Sequence, residues 1–221
     1  ETIKRVFYDL SNQQKNDGNR LEAGFNTPTA ICFAKAGNMY VADTYNYSVR
    51  KISTDGKVTT IAGTGESGIY TIGLGTNSKL KEFRAIAVDS KGNVYIPQKH
   101  KGTYILKISP NGEISTFAGD ANTIVYSGMA SDGNVENARF LDIQSIAIDN
   151  DDNLVIGEED KVRKITSAAV VTTLAGKENA DDWADGIGTK ARFNSINGIS
   201  INSKGNVLIT DKYCIRKMTK Q

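Results

Sequence analysis

Short runs of apolar and β-branched residues alternate with turns rich in Gly, Asn and Asp along the whole chain. The first set of runs is Thr29–Phe33, Met39–Ala42, Ser48–Ser53 and Val58–Ala62. Strands favour Val, Ile, Tyr and Thr, whereas Gly, Asn and Asp favour the turns between them. No helical periodicity persists over ten residues. The pattern predicts an all-β protein built from four-stranded units, with strands a to d in each.

This unit occurs four times. The anchor positions of the repeats are Phe25, Leu80, Phe140 and Phe193, at spacings of 55, 60 and 53 residues. Twelve residues after each anchor comes a hairpin turn, at Gly37-Asn38, Gly92-Asn93, Asp152-Asn153 and Gly205-Asn206. Such pairs between β-rich runs indicate hairpins, and four-stranded repeats of roughly 40–50 residues are typical of propeller blades. The sequence therefore predicts one domain over residues 1–221, a β-propeller of four blades with the anchors in its core.

The two ends of the chain suggest how the last repeat is completed. The fourth repeat stops after strand c, and residues 2–7 precede Phe25 by the distance at which residues 170–175 precede Phe193. The N-terminal strand is thus expected to supply strand d of the last blade and close the ring, which would remove an exposed strand edge. The alternative is that the chain is a segment of a larger propeller.

The repeat consensus resembles that of NHL repeats. It reads Ala-Arg-Phe, a Gly-Ile-Ser or Ala-Ile-Ala strand, Gly-Asn-Val-Tyr-Val-Ala-Asp, Val-Arg-Lys-Ile and Val-Thr-Thr-Ile-Ala-Gly, and an Asp-Gly pair precedes three anchors, at Asp17-Gly18, Asp132-Gly133 and Asp185-Gly186. The resemblance implies a propeller whose relatives bind proteins or RNA, sense extracellular ligands, or act as lyases or hydrolases. Most such propellers have six blades, so the alternative to a closed four-bladed ring is a segment of a six-bladed NHL propeller.

Composition excludes some partners. Lys plus Arg is 27 and Asp plus Glu is 25, so the net charge of +2 attracts the whole chain neither to nucleic acid nor to acidic lipid. No apolar run could span a bilayer, so membrane insertion is not expected. The chain starts at Glu1, which fits removal of a leader or of a longer parent; an extracellular or cell-envelope location is slightly favoured. Cys32 and Cys214 fit no metal spacing and are expected to be buried free thiols.

In a propeller the d–a and b–c loops share one face around the central channel, and here the long loops are the d–a loops. Aromatic residues occur in both sets of loops: Tyr70, Tyr126 and Trp183 in d–a loops, and Tyr45, Tyr47 and Tyr213 in b–c loops. Rings with a polar tip suit contact with protein or sugar. These residues, with Lys99 and His100, are the predicted binding residues; the alternative is that the rings pack the loops onto the blades.

A polar residue ends strand b in every repeat, 18 residues after the anchor, at Asp43, Gln98, Glu158 and Asp211. The carboxylates Asp43, Glu158 and Asp211 are weak candidates for a calcium site, since calcium prefers oxygen ligands. The alternative is that each accepts hydrogen bonds from backbone donors of its own loop. No other cofactor is predicted.

Enzyme chemistry has little support in the sequence. The single histidine, His100, rules out a multi-histidine zinc centre, and no nucleophile elbow or phosphate loop occurs. Lys99-His100-Lys101 is basic, but the equivalent loop of the next repeat is Glu158-Glu159-Asp160, whereas phosphate binding needs a continuous positive surface. The sequence favours a non-enzymatic platform that binds a protein or glycan, with no catalytic residues. The alternatives are a propeller lyase or hydrolase with calcium at the channel and an RNA-binding NHL domain. The oligomeric state stays open.

Overall fold

The computed structural model describes residues 15–19, 22–126, 128–178 and 183–219. In these ranges every regular element longer than three residues is a β-strand, and the strands form four antiparallel sheets. The chain divides into two compact units. One contains residues up to Gln98 together with Lys107–Ser115, and the other contains Lys99–Leu106 together with residues from Thr116 onward. The predicted fold class, an all-β propeller of four blades, is confirmed by these sheets.

The first sheet lies in the first unit and follows the predicted strands within one residue at each end. Its strands are β1 (Gly18–Asn19), β2 (Pro28–Phe33), β3 (Met39–Asp43), β4 (Ser48–Ile52) and β5 (Lys57–Ala62). The sheet order is β1-β5-β4-β3-β2, so β2 to β5 form the antiparallel meander of a blade. The turn between β2 and β3 contains Gly37 at φ +83°, a conformation that glycine adopts without strain.

The second repeat contributes strands to both units. These strands are β6 (Gly73–Leu74), β7 (Ala87–Val88), β8 (Val94–Lys99), β9 (Thr103–Ile108) and β10 (Glu113–Gly119). Within the first unit β7 pairs with β8, and the start of β10 pairs with β6. Strand a is therefore shorter in this repeat than in the others.

The third and fourth sheets lie in the second unit. The third contains β11 (Gly133–Asn134), β12 (Ile143–Ile148), β13 (Leu154–Glu158), β14 (Lys161–Ile165) and β15 (Val170–Gly176). The fourth contains β16 (Ile196–Ile201), β17 (Val207–Asp211) and β18 (Cys214–Met218). The two sheets pack closely, because a Cβ at Gly157 would lie 2.8 Å from the Ile196 side chain.

Two differences from the expected four-stranded unit are visible. First, a fifth, two-residue strand lies in the d–a loop and pairs with strand d, as β1 with β5 and β11 with β15. It forms at the Asp-Gly pair before the anchor in these two repeats, where Gly133 has φ +131°, and at Gly73–Leu74 in the second repeat, where β6 pairs with β10. Second, the fourth sheet has three strands in the described part of the chain. The predicted closing strand at residues 2–7 lies outside the described residues.

The anchors are core residues in three repeats. Leu80, Phe140 and Phe193 are buried, and Phe193 packs in a cluster with Val155, Val162 and Ile209 of the second unit. Phe25 is only half-buried, beside the cluster that includes Val41 and Val58, because the strand that follows it, β2, is largely exposed.

The prediction of two buried thiols is wrong for Cys214. This residue begins the exposed strand β18, so its side chain reaches solvent. Cys32 is half-buried, and burial raises the pKa of its thiol to about 12. No helix in the described ranges is both long and apolar enough to cross a bilayer.

Candidate functional site

A buried arginine in strand c organises the first repeat. Arg50 Nη1 donates to Asp43 Oδ2 at 2.8 Å, and both side chains are fully buried. Arg50 Nη2 donates to Asp17 Oδ1 at 3.1 Å, and the guanidinium carbon lies 4.9 Å from the centroid of the Phe25 ring. The network joins the end of strand b, the d–a loop and the anchor.

The third and fourth repeats contain the same network. Their arginines are Arg163 and Arg216, which pair with the carboxylates at the end of strand b and in the d–a loop: Glu158 and Asp132 in the third repeat, Asp211 and Asp185 in the fourth. Each guanidinium also lies over its anchor ring, at 4.6 Å in the third repeat and 4.5 Å in the fourth. Each arginine further donates to backbone carbonyls of its d–a loop.

The second repeat replaces the arginine, both carboxylates and the anchor ring of this network. The equivalent positions hold Ile72, Leu80, Gln98 and Leu106. Gln98 keeps the position at the end of strand b, and its Oε1 accepts the Lys81 backbone N–H at 2.8 Å. The joint replacement indicates that the four positions act as one structural group.

The carboxylates that end strand b are thus engaged within their own repeats. Asp43 accepts the Asn26 backbone N–H at 2.7 Å, and Asp211 accepts those of Asn194 and Ser195 at 2.9 Å. Burial raises the pKa of Glu158, and Arg163 and Lys161 oppose that rise. Among the described residues no cluster of three or more His, Cys, Asp or Glu side chains could hold a metal ion. A calcium site at Asp43, Glu158 and Asp211 stays a prediction.

Loops of the second unit enclose a cavity of about 470 Å³, named here the charge-paired cavity. Lys99 and Lys101, from the loop between β8 and β9, contribute its positive charges. Its negative charges come from Asp142, which follows an anchor, and from Glu159 and Asp160 in the loop between β13 and β14. The apolar part of the lining includes Val125, Leu141 and Phe193. Lys99 Nζ lies 3.3 Å from Asp142 Oδ1, with both side chains exposed.

The loops around the cavity are held in place by close backbone contacts. A Cβ at Gly102 would lie 2.2 Å from the Thr123 carbonyl oxygen, so only glycine allows this approach without a shift of the backbone. Thr123 Oγ1 donates to Asp120 Oδ2 at 2.5 Å, and this bond holds the pKa of Asp120 below its ordinary value. At Gly176, φ is +94° and a Cβ would lie 2.3 Å from the Asp160 carbonyl oxygen.

A second ion pair supports the same loops. Lys161 Nζ lies 3.0 Å from Glu178 Oε2 and 3.9 Å from Glu158 Oε2, and Lys161 is nearly buried. Glu178 Oε1 accepts the Gly128 backbone N–H, so the loop after β15 is tied to the loop after β10. The loops are therefore pre-organised, which lowers the entropy lost when a ligand binds.

The predicted binding residues are distributed over both units. Tyr45, Tyr126, Trp183 and Tyr213 are exposed, whereas Tyr47, Tyr70 and His100 are half-buried. In the second unit Lys99 lines the charge-paired cavity, and Tyr126 directly follows its lining residue Val125. Trp183 lines a different groove, beside β18, and Lys212 Nζ lies 5.0 Å from the centroid of the Tyr213 ring. Within the second unit, Lys99 and Trp183 thus line different depressions.

Sequence reasoning missed two contributors to the cavity. Asp142 is an exposed residue two positions after the anchor Phe140, and nothing in the repeat pattern marks it. Gly102 lies in the b–c loop of the second repeat. That loop is longer than the b–c loop of the third repeat, so no residue of the third repeat corresponds to Gly102. The arginine network, in contrast, had a signal: its residues change together in the second repeat.

No model of a known protein family matches the chain. Over 82 residues the chain is 30% identical to Protein SUPPRESSOR OF QUENCHING 1, chloroplastic, of Arabidopsis thaliana. That segment is 37% of this chain and 8% of that protein, so the chain spans a small part of this relative.

Solved structures match almost the whole chain. An auxiliary nutrient binding protein from Bacteroides thetaiotaomicron has a TM-score of 0.58 at 19% identity, over 86% of this chain and 46% of its own. Virginiamycin B lyase from Staphylococcus aureus has a TM-score of 0.51 at 15% identity, over 92% and 59%. A Bacteroides thetaiotaomicron protein of unknown function has a TM-score of 0.52 at 20% identity, over 97% and 74%.

The chain has a β-propeller fold. At these identities the likeness shows the fold alone, and one propeller fold hosts many activities.

Proposed function

We propose that this β-propeller is a recognition module of the NHL-repeat type, which binds a protein or glycan partner through the loops around the charge-paired cavity and does not transform it. The observation that carries the proposal is the cavity itself: a pre-organised depression with lysines from one loop and carboxylates from two others. Its volume of about 470 Å³ falls in the usual range for small-ligand pockets.

The charges of the cavity indicate the chemistry of the partner. Lys99 and Lys101 suit a carboxylate or another anion, while Asp142, Glu159 and Asp160 suit an ammonium group or sugar hydroxyls. A peptide segment with charges of both signs, or an amino- or carboxyl-bearing glycan, satisfies both groups. Exposed Tyr126 directly follows the lining residue Val125 in the sequence, and its ring suits contact with either partner.

The same charges argue against RNA. A phosphate backbone needs a continuous positive surface, whereas three carboxylates line this cavity beside the two lysines. An enzymatic role that relies on calcium at the ends of strands b is also disfavoured, because the carboxylates there already pair with Arg50, Arg163 and Arg216. A cation would have to displace an arginine from each of them.

The proposal is tested by screening the intact chain against a glycan array and a library of peptides of mixed charge. Each retained compound is then incubated with the protein and analysed by mass spectrometry. Saturable binding with no change in mass supports recognition without chemistry. Conversion of the compound, or preferential binding of single-stranded RNA added as a competitor, would contradict it.

A further inference from the structure

The loops around the charge-paired cavity are linked through an apolar residue. The backbone N–H of Leu141 donates to the carboxylate of Glu158 at the end of β13. The next residue, Asp142, pairs at 3.3 Å with Lys99, which ends β8. Leu141 and Asp142 therefore lie between the loop that follows β13 and the loop that follows β8, and both residues line the cavity.

Each of these two loops carries one charge that the protein does not pair. Lys101 belongs to the loop after β8, which is held by the Gly102 N–H donating to the Ala121 carbonyl at 3.3 Å. Glu159 belongs to the loop after β13, and its carbonyl accepts the Ile196 N–H at 2.8 Å. Both side chains are exposed, and within the described ranges neither has an ion-pair partner. A ligand thus meets one cation and one anion, with the apolar link between their loops.

The apolar lining suits an aliphatic side chain better than a sugar ring. Val125 and Leu141 are aliphatic and half-buried. The single aromatic residue of the described lining is Phe193, which is 3% exposed and has the Arg216 guanidinium carbon 4.5 Å from its ring centroid. A sugar packs its C–H groups on the face of an exposed aromatic ring, and Phe193 offers no such face. The lining therefore favours a peptide side chain over a glycan.

The segment that contributes Val125 also exposes apolar side chains. Ile124, Tyr126 and Met129 are 47%, 64% and 48% exposed. Exposed apolar residues that occur together mark interaction sites, and Tyr and Met are enriched in protein–protein interfaces. These neighbours in sequence again favour a protein as the partner.

The chain's own residues next to these loops in sequence do not complement the cavity. Residue 127 is Ser and residues 179–182 read Asn-Ala-Asp-Asp, and both lie outside the described residues. They contain neither a base for Glu159 nor a large apolar side chain for Leu141. Their composition therefore favours a separate chain as the source of the complementary groups.

We propose, as a step that rests on the proposed function, that the cavity recognises a protein segment in which an apolar side chain lies between an acidic and a basic one. The acidic side chain pairs with Lys101, the basic side chain pairs with Glu159, and the apolar side chain packs on Leu141 and Val125. Alternate residues of an extended chain point to the same side, so the pattern is acid-x-apolar-x-base, in either direction along the segment.

The test uses peptides that differ only in their charged residues: Glu-Gly-Leu-Gly-Lys, Glu-Gly-Leu-Gly-Glu and Lys-Gly-Leu-Gly-Lys. Acetylated and amidated ends leave the side chains as the only charges. NMR titration of the intact chain measures each dissociation constant, including weak ones. We expect the mixed-charge peptide to bind at least about tenfold more tightly than either of the other two.

Charge reversal in the cavity should change the preferred peptide. Lys101→Glu leaves carboxylates on both loops and should prefer the peptide with two lysines, whereas Glu159→Lys should prefer the peptide with two glutamates. Lys204→Glu reverses a charge in an exposed hairpin turn outside the lining and should keep the natural preference. Because the peptides are compared on one and the same variant, a difference in stability between variants does not change the order of affinities.

A further peptide with Gly in place of Leu tests the apolar contact, and it should bind at least about tenfold more weakly than the mixed-charge peptide. Equal affinity for all the peptides, or a preference that does not follow the charge of the variant, would overturn the proposal. If the array screen retains glycans that Lys101→Glu no longer binds, while none of the peptides binds, the inference is wrong but recognition through the cavity is supported. If neither the peptides nor the array compounds bind, the proposed function is wrong too.

Discussion

Arg163 Nη1 lies 2.8 Å from Glu158 Oε1, and both side chains are removed from solvent. The pair recurs as Arg50 with Asp43 and Arg216 with Asp211, and it fastens the end of strand b to strand c in three repeats. The three carboxylates that the sequence marks as calcium candidates are therefore paired with arginines of the same chain.

Removing one partner of this ion pair should lower the stability of the protein more than replacing both partners. Arg163→Leu leaves the buried Glu158 carboxylate with Lys161 Nζ, 3.9 Å away, and the Leu141 backbone N–H, and loss of one partner of a buried pair typically costs about 3–5 kcal/mol. Combining it with Glu158→Gln recreates the Gln98 and Leu106 of the second repeat, so the double variant should lose less stability than Arg163→Leu. Urea unfolding of the three proteins checks this; a double variant less stable than the single one would contradict it.

The anchors should contribute to stability according to their burial. Phe140 is fully buried, so Phe140→Ala should cost about 3–5 kcal/mol. Phe25 is half-buried, and Phe25→Ala should cost clearly less. Both values come from denaturant titrations of the same preparation. Equal costs, or a cost under about 1 kcal/mol for Phe140→Ala, would show that burial of the ring does not set its contribution.

Acid should remove the contribution of Asp149 to the free energy of unfolding. Burial is the largest single influence and raises its pKa, but the hydrogen bonds from Asn153, Lys164 and the Asp151 backbone together outweigh it and hold the pKa below the ordinary value of 3.8. A lowered folded-state pKa gives stability that is present above pH 3.8 and is lost as the pH falls through the folded value.

Asp149→Asn should therefore be less stable than the natural chain at about pH 6, and the difference should shrink at about pH 2.5. Unfolding free energies measured at both pH values check the sign. A difference that stays constant or grows in acid would show that the carboxylate is not stabilised by these bonds.

Much of the fold could be predicted because it depends on local residue preferences. The turn at Gly37-Asn38 and the β-rich runs on either side define a hairpin without any long-range information. The extra strand at Gly133–Asn134 could not be predicted, since two residues carry no periodicity and the strand exists only through its pairing with Val170 and Val171.

The candidate site was less predictable because its residues come from parts of the chain that are far apart in sequence. The basic loop of the sequence marks Lys99, but its partner Asp142 lies 43 residues away in sequence, and only folding brings the two side chains within 3.3 Å. Trp183 lines the groove at β18, whereas the charge-paired cavity is lined by Val125, the residue before Tyr126, and the shared face of the two aromatic residues stays a prediction.

The most direct test of recognition through the charge-paired cavity is a comparison of charge-reversed variants against the compounds retained in the array screen. Lys99→Glu with Lys101→Glu reverses the positive wall, and Lys91→Glu with Lys204→Glu makes the same change in exposed hairpin turns outside the cavity lining. We predict that the first variant weakens binding at least about tenfold, equal to about 1.4 kcal/mol, while it stays folded at the temperature of the binding assay. The second variant should bind like the natural chain. Equal affinity in all three proteins would contradict the account.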